Sequence, residues 1–596
     1  MDSRAIYNTR IEHWRGQGQR AERNFIAIGN WRLLVLAIGA ALGWLALAEQ
    51  TLNPWWLLAP TLAFVVLARF LADAERQSEL ARRALAHYEH ALARMDDQWA
   101  GRGATGERFR DAQHVYADDL DLFGRGSLFD LLSTARTTSG EQTLASWLLG
   151  AAPPEAAIAR QQAVRELAPR ADLREDLALL GEDVRSGVHS EPLVQWGAEQ
   201  HVAFPAGASA VARLLAAGNT IALIGYFAEK WEAVPVLAGL TLALLFAYWV
   251  RVPTRQALAR VRASARDLQI LALLFAALER EEKFAAVRLR ELRAQLQVQG
   301  LPVSRRIAQL ARLVQWVDSL GHILVAALAP FVALQPQLAM AVERWRAAHG
   351  PHIRQWIAVL AEMEALNSLA AFAFEHPDAV FPELAAEANC ASRFSAQALR
   401  HPLLAAKSAV ANDVQLGGDL RLLIVSGSNM SGKSTLLRAI GLNCVLAWAG
   451  APVTAQAMQL SPLALGASLR TVDSLQEGRS RFYAEILRLR QVMDLAGEGA
   501  TLFLLDELLS GTNSHDRRIG AEGVLQGLLE RGAIGLVTTH DLALTQIAEA
   551  MGSRAANCHF EDHLEDGKIS FDYKLRPGVV QRSNALELMR AVGLKV

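Results

Sequence analysis

The stretch Leu422-Leu-Ile-Val-Ser-Gly-Ser-Asn-Met-Ser-Gly-Lys-Ser-Thr435 decides the fold of the C-terminal part of this 596-residue chain. Its first four residues are apolar and predict a short buried strand, and the residues after Thr435 predict a helix. Between them lies a G-x-x-x-x-G-K-[ST] pattern, which at a strand-to-helix turn is typical of a phosphate-binding loop. The sequence therefore predicts an α/β domain built around this turn.

This loop is predicted to bind ATP, because its backbone N–H groups can converge on phosphates and the helix N-terminus adds positive partial charge. We expect Lys433 to reach the β- and γ-phosphates and Ser434 to ligate Mg²⁺. The predicted nucleotide-binding residues of the loop are Gly427, Ser428, Asn429, Met430, Ser431, Gly432, Lys433, Ser434 and Thr435.

Two further apolar runs end in polar residues that suit the same site. Residues 501–505 precede Asp506 and Glu507. We expect Asp506 to hold the magnesium shell and Glu507 to polarise the attacking water. Residues 534–539 precede His540, which we predict to sense the γ-phosphate or orient water. Because the runs alternate with helical segments, they predict a largely parallel sheet.

Apolar residues elsewhere are concentrated in four charge-free windows, and the mean hydropathy of the chain is +0.15. The windows cover 33–48, 50–68, 214–228 and 233–250 and form two pairs, with predicted membrane spans at about 33–48 and 52–70 and at about 214–228 and 233–250. A membrane-spanning helix needs roughly 17 to 25 mostly apolar residues, so the pairs predict two transmembrane hairpins. Tryptophans suited to the headgroup level lie near the window ends at Trp31, Trp55, Trp56, Trp231 and Trp249.

Arginines flank both hairpins, whereas the turns inside them contain only Lys230 as a basic residue. By the positive-inside rule, both hairpins enter from the cytoplasm, which predicts a multi-pass protein of the cytoplasmic membrane with its α/β domain in the cytoplasm. Two alternatives remain open: core hairpins of a helical domain give similar apolar runs, and Ala46-Leu-Ala48 fits a signal-peptide cleavage site.

The chain divides by composition into three predicted regions. Residues 1–118 form a membrane-anchor region with the first hairpin, 119–370 a helical region with the second hairpin, and 375–596 the α/β domain. Stretches rich in Ala, Leu, Arg and Glu at 73–100 and 254–298 predict helices. The N-terminal and central regions are therefore predicted to be all-α.

Global charge and cysteine content exclude some classes of protein. The net charge of −1 gives no general electrostatic signature of a nucleic-acid binder. Cys390, Cys444 and Cys558 are far apart and match no disulfide framework or zinc spacing. Free thiols suit a reducing cytosol.

Several motifs resemble the ATPase domain of the MutS family of DNA mismatch repair proteins. These motifs are Asn429-Met-Ser-Gly-Lys-Ser-Thr435, Gly478-Arg-Ser480, Asp506-Glu-Leu-Leu-Ser-Gly-Thr512, Thr538-Thr-His540, Arg400-His-Pro402 and Tyr573-Lys-Leu-Arg-Pro-Gly578. The start of that family's helical core and lever is similar to Ser127-Leu-Phe-Asp-Leu-Leu132, Thr138-Ser-Gly140 and Arg160-Gln-Gln162. The resemblance is strong over about 375–590 and moderate over about 120–185.

The resemblance implies a homodimeric, Mg²⁺-dependent ATPase in which each nucleotide lies between two subunits. Ser480 would contact the phosphate bound by the partner subunit, and the loop 511–514 would lie at the same interface. The resemblance also implies a dimer that closes around DNA when nucleotide is bound.

The sequence departs from the family in several places. The mismatch-reading domain, with its Phe-x-Glu motif, does not fit before residue 120, and the second hairpin falls near the family's DNA-clamp insertion. The signature segment reads Gly478-Arg-Ser-Arg-Phe482, where the family commonly has Ser-Thr-Phe, and no aromatic residue directly precedes the strand at 422, where adenine usually stacks. We therefore expect a membrane-anchored MutS-like ATPase that hydrolyses ATP at a composite dimer site and binds DNA in a mismatch repair-like role. General or structure-specific DNA binding is favoured over mismatch binding, and a mismatch repair factor proper remains a further hypothesis. The alternative is an ATP-driven transporter or membrane-remodelling protein without DNA binding.

Overall fold

A computed structural model describes the chain except for residues 1, 50, 186–189, 260–264, 282, 299, 386–390, 429, 470–480, 566, 567 and 581–596. The chain is multi-domain and mostly helical, with β-sheets in its C-terminal part. It divides into two compact units, Met1–Gly103 with Phe374–Pro377, and Ala104–Ala373 with Asp378–Val596. The predicted regions 1–118, 119–370 and 375–596 stay predictions, because compactness alone does not define domains.

The first unit is a long helical hairpin made of α1 (Ser3–Gly43) and α2 (Leu58–Met95). The helices run antiparallel, since Arg4 forms a 2.5 Å ion pair with Asp96 at one end while Gly39 lies next to Pro60 near the other. A π-helical turn (Trp44–Ala48) and a 3₁₀ turn (Pro54–Leu57) connect them.

The two ends of this hairpin differ in burial. At the open end, Tyr7 and Tyr88 pack with Phe374, and the buried Glu375 carboxylate accepts hydrogen bonds from Tyr7 (3.1 Å) and Arg94 (2.5 and 2.7 Å). Toward the turn, the most apolar window of each helix has a mean hydropathy of 1.9 or 1.8, and only 6% of that window is buried. Both helices are long and apolar enough to cross a membrane.

The second unit begins with a helical part. Its helices are α3 (Leu128–Leu132), α4 (Thr138–Leu149), α5 (Pro154–Leu167), α6 (Ala171–Arg185), α7 (Ser190–Ala198), α8 (Ala208–Phe227), α9 (Val234–Trp249), α10 (Arg251–Ala259), α11 (Ala265–Arg280), α12 (Val287–Gln295), α13 (Val303–Ser319), α14 (Ile323–Leu328), α15 (Leu334–His349) and α16 (Ile353–Glu375). The last two residues of α16 belong to the first unit.

Helices α8 and α9 form the second predicted hairpin. Its base packs on α15 through Ala208, Phe246, Val250 and Met340, whereas most of its apolar side chains are exposed. By length and composition α8 could span a membrane, and so could α9 together with α10, which is bent from it by 65°. The stretch Leu334–Glu375 is as apolar, but 78% of its window is buried, so it is a core element.

One prediction for the central region is confirmed and another is wrong. The stretch 254–298 is mostly helical as predicted, in α10, α11 and α12, and the chain is non-helical just before α12, where the Glu166 carboxylate accepts the backbone N–H groups of Ala285 (2.9 Å) and Ala286 (2.6 Å). The predicted all-α region also contains two short antiparallel strands, β1 (Gln297–Val298) and β2 (Leu301–Pro302). Gly300, at a φ of 73°, permits the tight turn between them.

The C-terminal part contains the remaining strands and helices. The strands are β3 (Glu383–Leu384), β4 (Arg393–Leu399), β5 (Asn412–Gly417), β6 (Leu422–Ser426), β7 (Ala457–Leu460), β8 (Ala464–Ser468), β9 (Thr501–Leu505), β10 (Ile534–Thr539), β11 (Ala555–Glu565) and β12 (Lys568–Pro577). The helices are α17 (Lys433–Ala449), α18 (Arg481–Glu498), α19 (Ser514–Glu530) and α20 (Gln546–Met551).

The main sheet has the strand order β12-β11-β6-β10-β9-β8 and is parallel except for β12. The three predicted strands are confirmed as β6, β9 and β10, and they are adjacent in its centre. Every residue of these three strands is buried, as expected of strands covered on both faces. A second sheet, with the order β3-β7-β4-β5, was not predicted.

Candidate functional site

The glycine-rich loop joins the central strand β6 to the N-terminus of α17. Gly432 caps the helix at a φ of 102°, and a Cβ at this position would lie 3.0 Å from the Tyr573 ring. Only glycine suits both the backbone angle and the close approach. Of the other predicted loop residues, Ser428 and Met430 are exposed and Gly427 is buried. Asn429 lies outside the described residues.

Lys433, the first residue of α17, is turned back into this loop. Its Nζ donates hydrogen bonds to the carbonyl oxygens of Gly427 and Ser428, both at 2.8 Å, and the residue is 5% exposed. Burial lowers the pKa of Lys433, and the charges of Glu507 and Asp506 oppose that shift. The structure thus brings this predicted lysine into the field of both predicted acids.

The acids and His540 meet at the carboxyl ends of β9 and β10. The Thr538 hydroxyl donates a hydrogen bond to Asp506 Oδ1 and accepts one from the Glu507 backbone N–H at 3.1 Å. The Glu507 carboxylate lies 3.4 Å from His540 Nδ1. Since β10 pairs with both β6 and β9, these groups lie at the same sheet edge as the glycine-rich loop.

Glu507 has a left-handed backbone, with a φ of 48°, and the turn after it is fixed by side chains. The buried Glu485 carboxylate accepts the Leu509 backbone N–H at 2.5 Å. The Arg517 guanidinium donates to the carbonyl oxygens of Leu509 (3.0 Å), Ser510 (2.9 Å) and Thr512 (3.2 Å). The loop 511–514 is thereby held on the surface, while Ser480 lies outside the described residues.

A cavity of about 580 Å³ adjoins the loop. Polar residues from the start of α17 and the end of β9 line it: Lys433, Ser434, Thr435 and Glu507. Much of the remaining lining is apolar, with Leu399, Leu404, Val410, Leu436, Ala439 and Phe560, and the rings of His401 and Tyr573 also line it. Ligand pockets commonly measure roughly 300 to 1,000 Å³, so this cavity has the size and polarity pattern for a nucleotide.

His401 contributes a neutral imidazole to this cavity. Burial, reinforced by the Arg438 charge, lowers its pKa to about 4. The Leu403 backbone N–H donates to His401 Nδ1 at 3.2 Å, so the neutral ring carries its proton on Nε2. This histidine belongs to the Arg400-His-Pro402 motif but was not predicted as a site residue.

Tyr573 is the aromatic residue that sequence reasoning missed at this site. Its ring lines the cavity beside Gly432, and its backbone φ is 54°. Asn412 holds the strand around it, donating to the Tyr573 carbonyl (3.0 Å) and accepting the Leu575 N–H (2.8 Å). The sequence motif at 573–578 includes this tyrosine, but the motif does not indicate that the ring lies beside the glycine-rich loop.

A connecting segment, residues 111–121, contacts both helices next to the site. Arg488 of α18 donates to the carbonyl oxygens of Ala112 (3.0 Å) and His114 (2.7 Å). Arg438 of α17 donates to the Asp119 carbonyl at 3.1 Å, and the Asp119 carboxylate accepts the Leu469 N–H at 2.9 Å. The segment therefore contacts α17, α18 and the end of β8.

The residues around the glycine-rich loop fit a bound nucleoside triphosphate. The Ser431 hydroxyl is buried and has no hydrogen-bond partner among the described residues, so it is free to meet a phosphate oxygen. Lys433 is already at the loop, and Ser434 and Asp506 offer oxygen ligands of the kind that Mg²⁺ prefers. No contact recorded in the described part of the site conflicts with this ligand.

The fold and the site together define an α/β domain in which a glycine-rich loop follows a central strand of a mainly parallel sheet. Residues 423–595 match the family model described as MutS domain V, and this domain is present in the chain.

Curated relatives agree with this match. "DNA mismatch repair protein MutS 2" of Haloarcula marismortui is 40% identical over 179 residues, which cover 29% of this chain and 18% of the relative. "Endonuclease MutS2" of Thermomicrobium roseum is 32% identical over 234 residues, which cover 36% of this chain and 28% of the relative. "DNA mismatch repair protein MutS" of Streptococcus pneumoniae is 28% identical over 237 residues, which cover 39% of this chain and 28% of the relative. The chain is therefore similar to these MutS proteins over its C-terminal part, and it spans well under half the length of each relative.

Proposed function

We propose that this chain is a Mg²⁺-dependent ATPase of the MutS type that works as a homodimer at the cytoplasmic membrane and binds DNA. One observation carries the ATPase part of the proposal. Lys433, Asp506, Glu507 and His540 come from three separate strand ends, and they converge at one edge of the sheet beside a cavity of nucleotide size.

Each of these residues has a role in the proposed reaction. Lys433 would exchange its bonds to the loop carbonyls for bonds to the β- and γ-phosphates. Ser434 and Asp506 would hold the metal, with Asp506 fixed by Thr538. Glu507 would accept the proton of the attacking water, and His540 would orient that water. When bound, Mg²⁺ supplies charge neutralisation for the phosphates.

Equilibrium binding of labelled ATP to purified full-length protein tests the nucleotide site. Lys433→Ala is expected to abolish most of the affinity, because it removes the cation that the loop encloses. The matched control is Lys283→Ala, which removes an exposed lysine outside the cavity lining. Equal ATP affinity of Lys433→Ala and the control would refute the assignment.

The homodimer part of the proposal can be tested by subunit mixing. In a composite site, the loop of one subunit would work with Ser480 of the other. A mixed dimer of Lys433→Ala and Ser480→Ala subunits would then contain one site with both changes and one intact site. ATPase activity is expected to reappear on mixing two inactive variants. If the mixture stays inactive although mixed dimers form, each site is confined to one subunit.

Membrane attachment is supported by the exposed apolar surfaces of both hairpins. Only 6% of the most apolar windows of α1 and α2 is buried within the chain, and 17% of that of α8. Contiguous exposed apolar surface of this extent is typical of contact with another apolar phase. Arginines next to the hairpins favour an arrangement with the ATPase domain in the cytoplasm.

Labelling of single cysteines tests this arrangement. In cells, Thr51→Cys and Glu229→Cys at the hairpin turns are expected to react with a membrane-impermeant maleimide added outside. A cysteine at exposed Val287 is expected to react only after lysis. Recovery of the whole protein in the soluble fraction, or labelling of position 287 in intact cells, would contradict the proposal.

DNA binding is the part that rests on the family match and the names of the relatives. We expect nucleotide to alter the affinity for duplex DNA, and the Lys433→Ala variant to lose that response. Matched and mismatched duplexes should be compared at one salt concentration, because phosphate contacts depend steeply on salt. Equal affinity for both duplexes would indicate general DNA binding, and absence of binding even at low salt would refute this part.

A further inference from the structure

The segment between α13 and α15 carries an exposed apolar surface that the two hairpins do not include. We call residues 319–333 the apolar segment; it contains the short helix α14. Ile323, Leu324 and Leu328 are 82%, 71% and 64% exposed. From 319 to 342 the sequence has no Asp, Glu, Lys or Arg. Such a patch marks contact with a partner or a membrane.

The apolar segment is joined to the second hairpin by one buried amide. Asn219 of α8 is 3% exposed, and its Nδ2 donates to the carbonyl oxygens of Phe331 (2.6 Å) and of Gly239 in α9 (3.2 Å). An asparagine inside an apolar hairpin needs partners, since an unpaired polar group in an apolar medium is costly. One of its two partners comes from the apolar segment.

The position of Asn219 shows how far along the hairpin the apolar segment reaches. Asn219 lies about 16 Å from the start of α8 and about 12 Å from its end, at 1.5 Å per residue. Ala333 belongs to the same buried cluster as Ala212 and Phe246 of the hairpin, so the apolar segment runs along the hairpin from this cluster to its middle. Because α13 and α15 pack on each other, the apolar segment leaves and rejoins the same helical body.

Several backbone carbonyl groups at the end of the apolar segment have partners within the protein. Asn219 donates to the Phe331 carbonyl, and Gln337 Nε2 donates to the Val332 carbonyl at 2.7 Å. The Leu334 N–H donates to the Ala329 carbonyl at 2.9 Å. Irregular backbone is tolerated at membrane depth only where its polar groups have protein partners. The carbonyl groups of Ala329, Phe331 and Val332 meet that condition, while the side chains of Ile323, Leu324 and Leu328 are exposed.

We infer that the apolar segment is a re-entrant membrane element, which enters the acyl region of the bilayer beside α8 and α9 and returns to the same side. The inference rests on the proposed membrane insertion of the second hairpin. Helix α14, with six residues, is about 9 Å long and cannot cross a hydrocarbon core of about 30 Å. The apolar segment therefore contacts lipid on one side and the hairpin on the other.

Single-cysteine labelling of the full chain in isolated membranes tests the inference, in a background without the three native cysteines. Ile323→Cys reports on the apolar segment, Leu244→Cys on the hairpin, and Val287→Cys on an exposed apolar position elsewhere. With an impermeant maleimide, positions 323 and 244 are expected to react only after denaturation in SDS, and position 287 before and after. If position 323 is labelled before denaturation while position 244 is protected, the inference is overturned, but the proposed insertion of the hairpin still holds. Labelling of both positions overturns the proposed insertion itself.

A lipid-based readout separates a bilayer from a protein partner. A bimane dye on Ile323→Cys in reconstituted vesicles is expected to be quenched by doxyl-labelled lipids, as is the dye on Leu244→Cys. Protection without quenching would assign the surface to a second copy and overturn the inference.

Asn219→Leu provides the variant that separates the apolar segment from the hairpin. We expect it to expose position 323 to the maleimide and to leave position 244 protected. The matched control is Thr220→Val on the same helix, because the Thr220 hydroxyl donates to the Ala216 carbonyl within α8. Unchanged protection of position 323 in Asn219→Leu would contradict the role given to this amide.

Discussion

Removal of the Tyr573 ring is expected to weaken ATP binding through the base and not through the phosphates. The ring lines the nucleotide-sized cavity next to Gly432, and it is 42% exposed, so Tyr573→Ala removes no core packing. Alanine and tyrosine meet a similar backbone cost at this left-handed position. Stacking of a base on an aromatic side chain is worth roughly 1 to 3 kcal/mol, which corresponds to about a 5- to 150-fold rise in the Kd of ATP.

The assay compares two ligands that share a triphosphate. The Kd values of Mg-ATP and of Mg-tripolyphosphate are measured for the wild type, Tyr573→Ala, Tyr573→Phe and Lys433→Ala. Tyr573→Ala is expected to lose affinity for ATP alone, and Tyr573→Phe to retain both affinities. Lys433→Ala is expected to lose both. If Tyr573→Ala raises the Kd values of both ligands by the same factor, or changes neither Kd, the ring does not contact the base.

Three other predictions concern the acid, a buried ion pair and a histidine. Glu507→Gln is expected to lower phosphate release by about 10²- to 10⁴-fold with an unchanged Kd for ATP, and a parallel loss of binding would contradict its role as a base. Arg94→Met leaves the buried Glu375 carboxylate without its cation and is expected to cost about 3 to 5 kcal/mol in denaturant unfolding in detergent. The double change with Glu375→Leu should recover most of that loss; an additive cost would refute the pairing argument. Burial lowers the pKa of His401 to about 4 in the folded state, whereas its pKa in the unfolded chain is about 6.5. The free energy of unfolding should therefore fall by up to about 3 kcal/mol as the pH drops from above 6.5 to 4. Unfolding of His401→Asn, measured over the same pH range, should not show that fall.

The central sheet and the polar residues that follow its strands were predictable because their signals are local. A buried strand, a glycine-rich loop and a helix occupy consecutive residues, and parallel strands bring their carboxyl ends to one edge. The position of Asp506, Glu507 and His540 beside Lys433 follows from these two facts.

The apolar lining of the cavity could not be predicted, because it is assembled from distant parts of the chain. Tyr573 comes from the antiparallel strand β12, and Asn412 of β5 bonds to the backbone of Tyr573 and Leu575. The break before α12 was likewise missed, since the carboxylate that replaces the helical hydrogen bonds comes from Glu166. Neither contact leaves a periodic pattern in the sequence.

The contacts of the connecting segment 111–121 imply a mechanical linkage. Arg488 and Arg438 attach one short stretch of backbone to two different helices, α18 next to the segment that contains Ser480 and α17 at the glycine-rich loop. A tilt of α18 cannot occur without breaking these bonds or pulling the segment with it. The segment therefore couples the position of α18 to that of α17 within the chain.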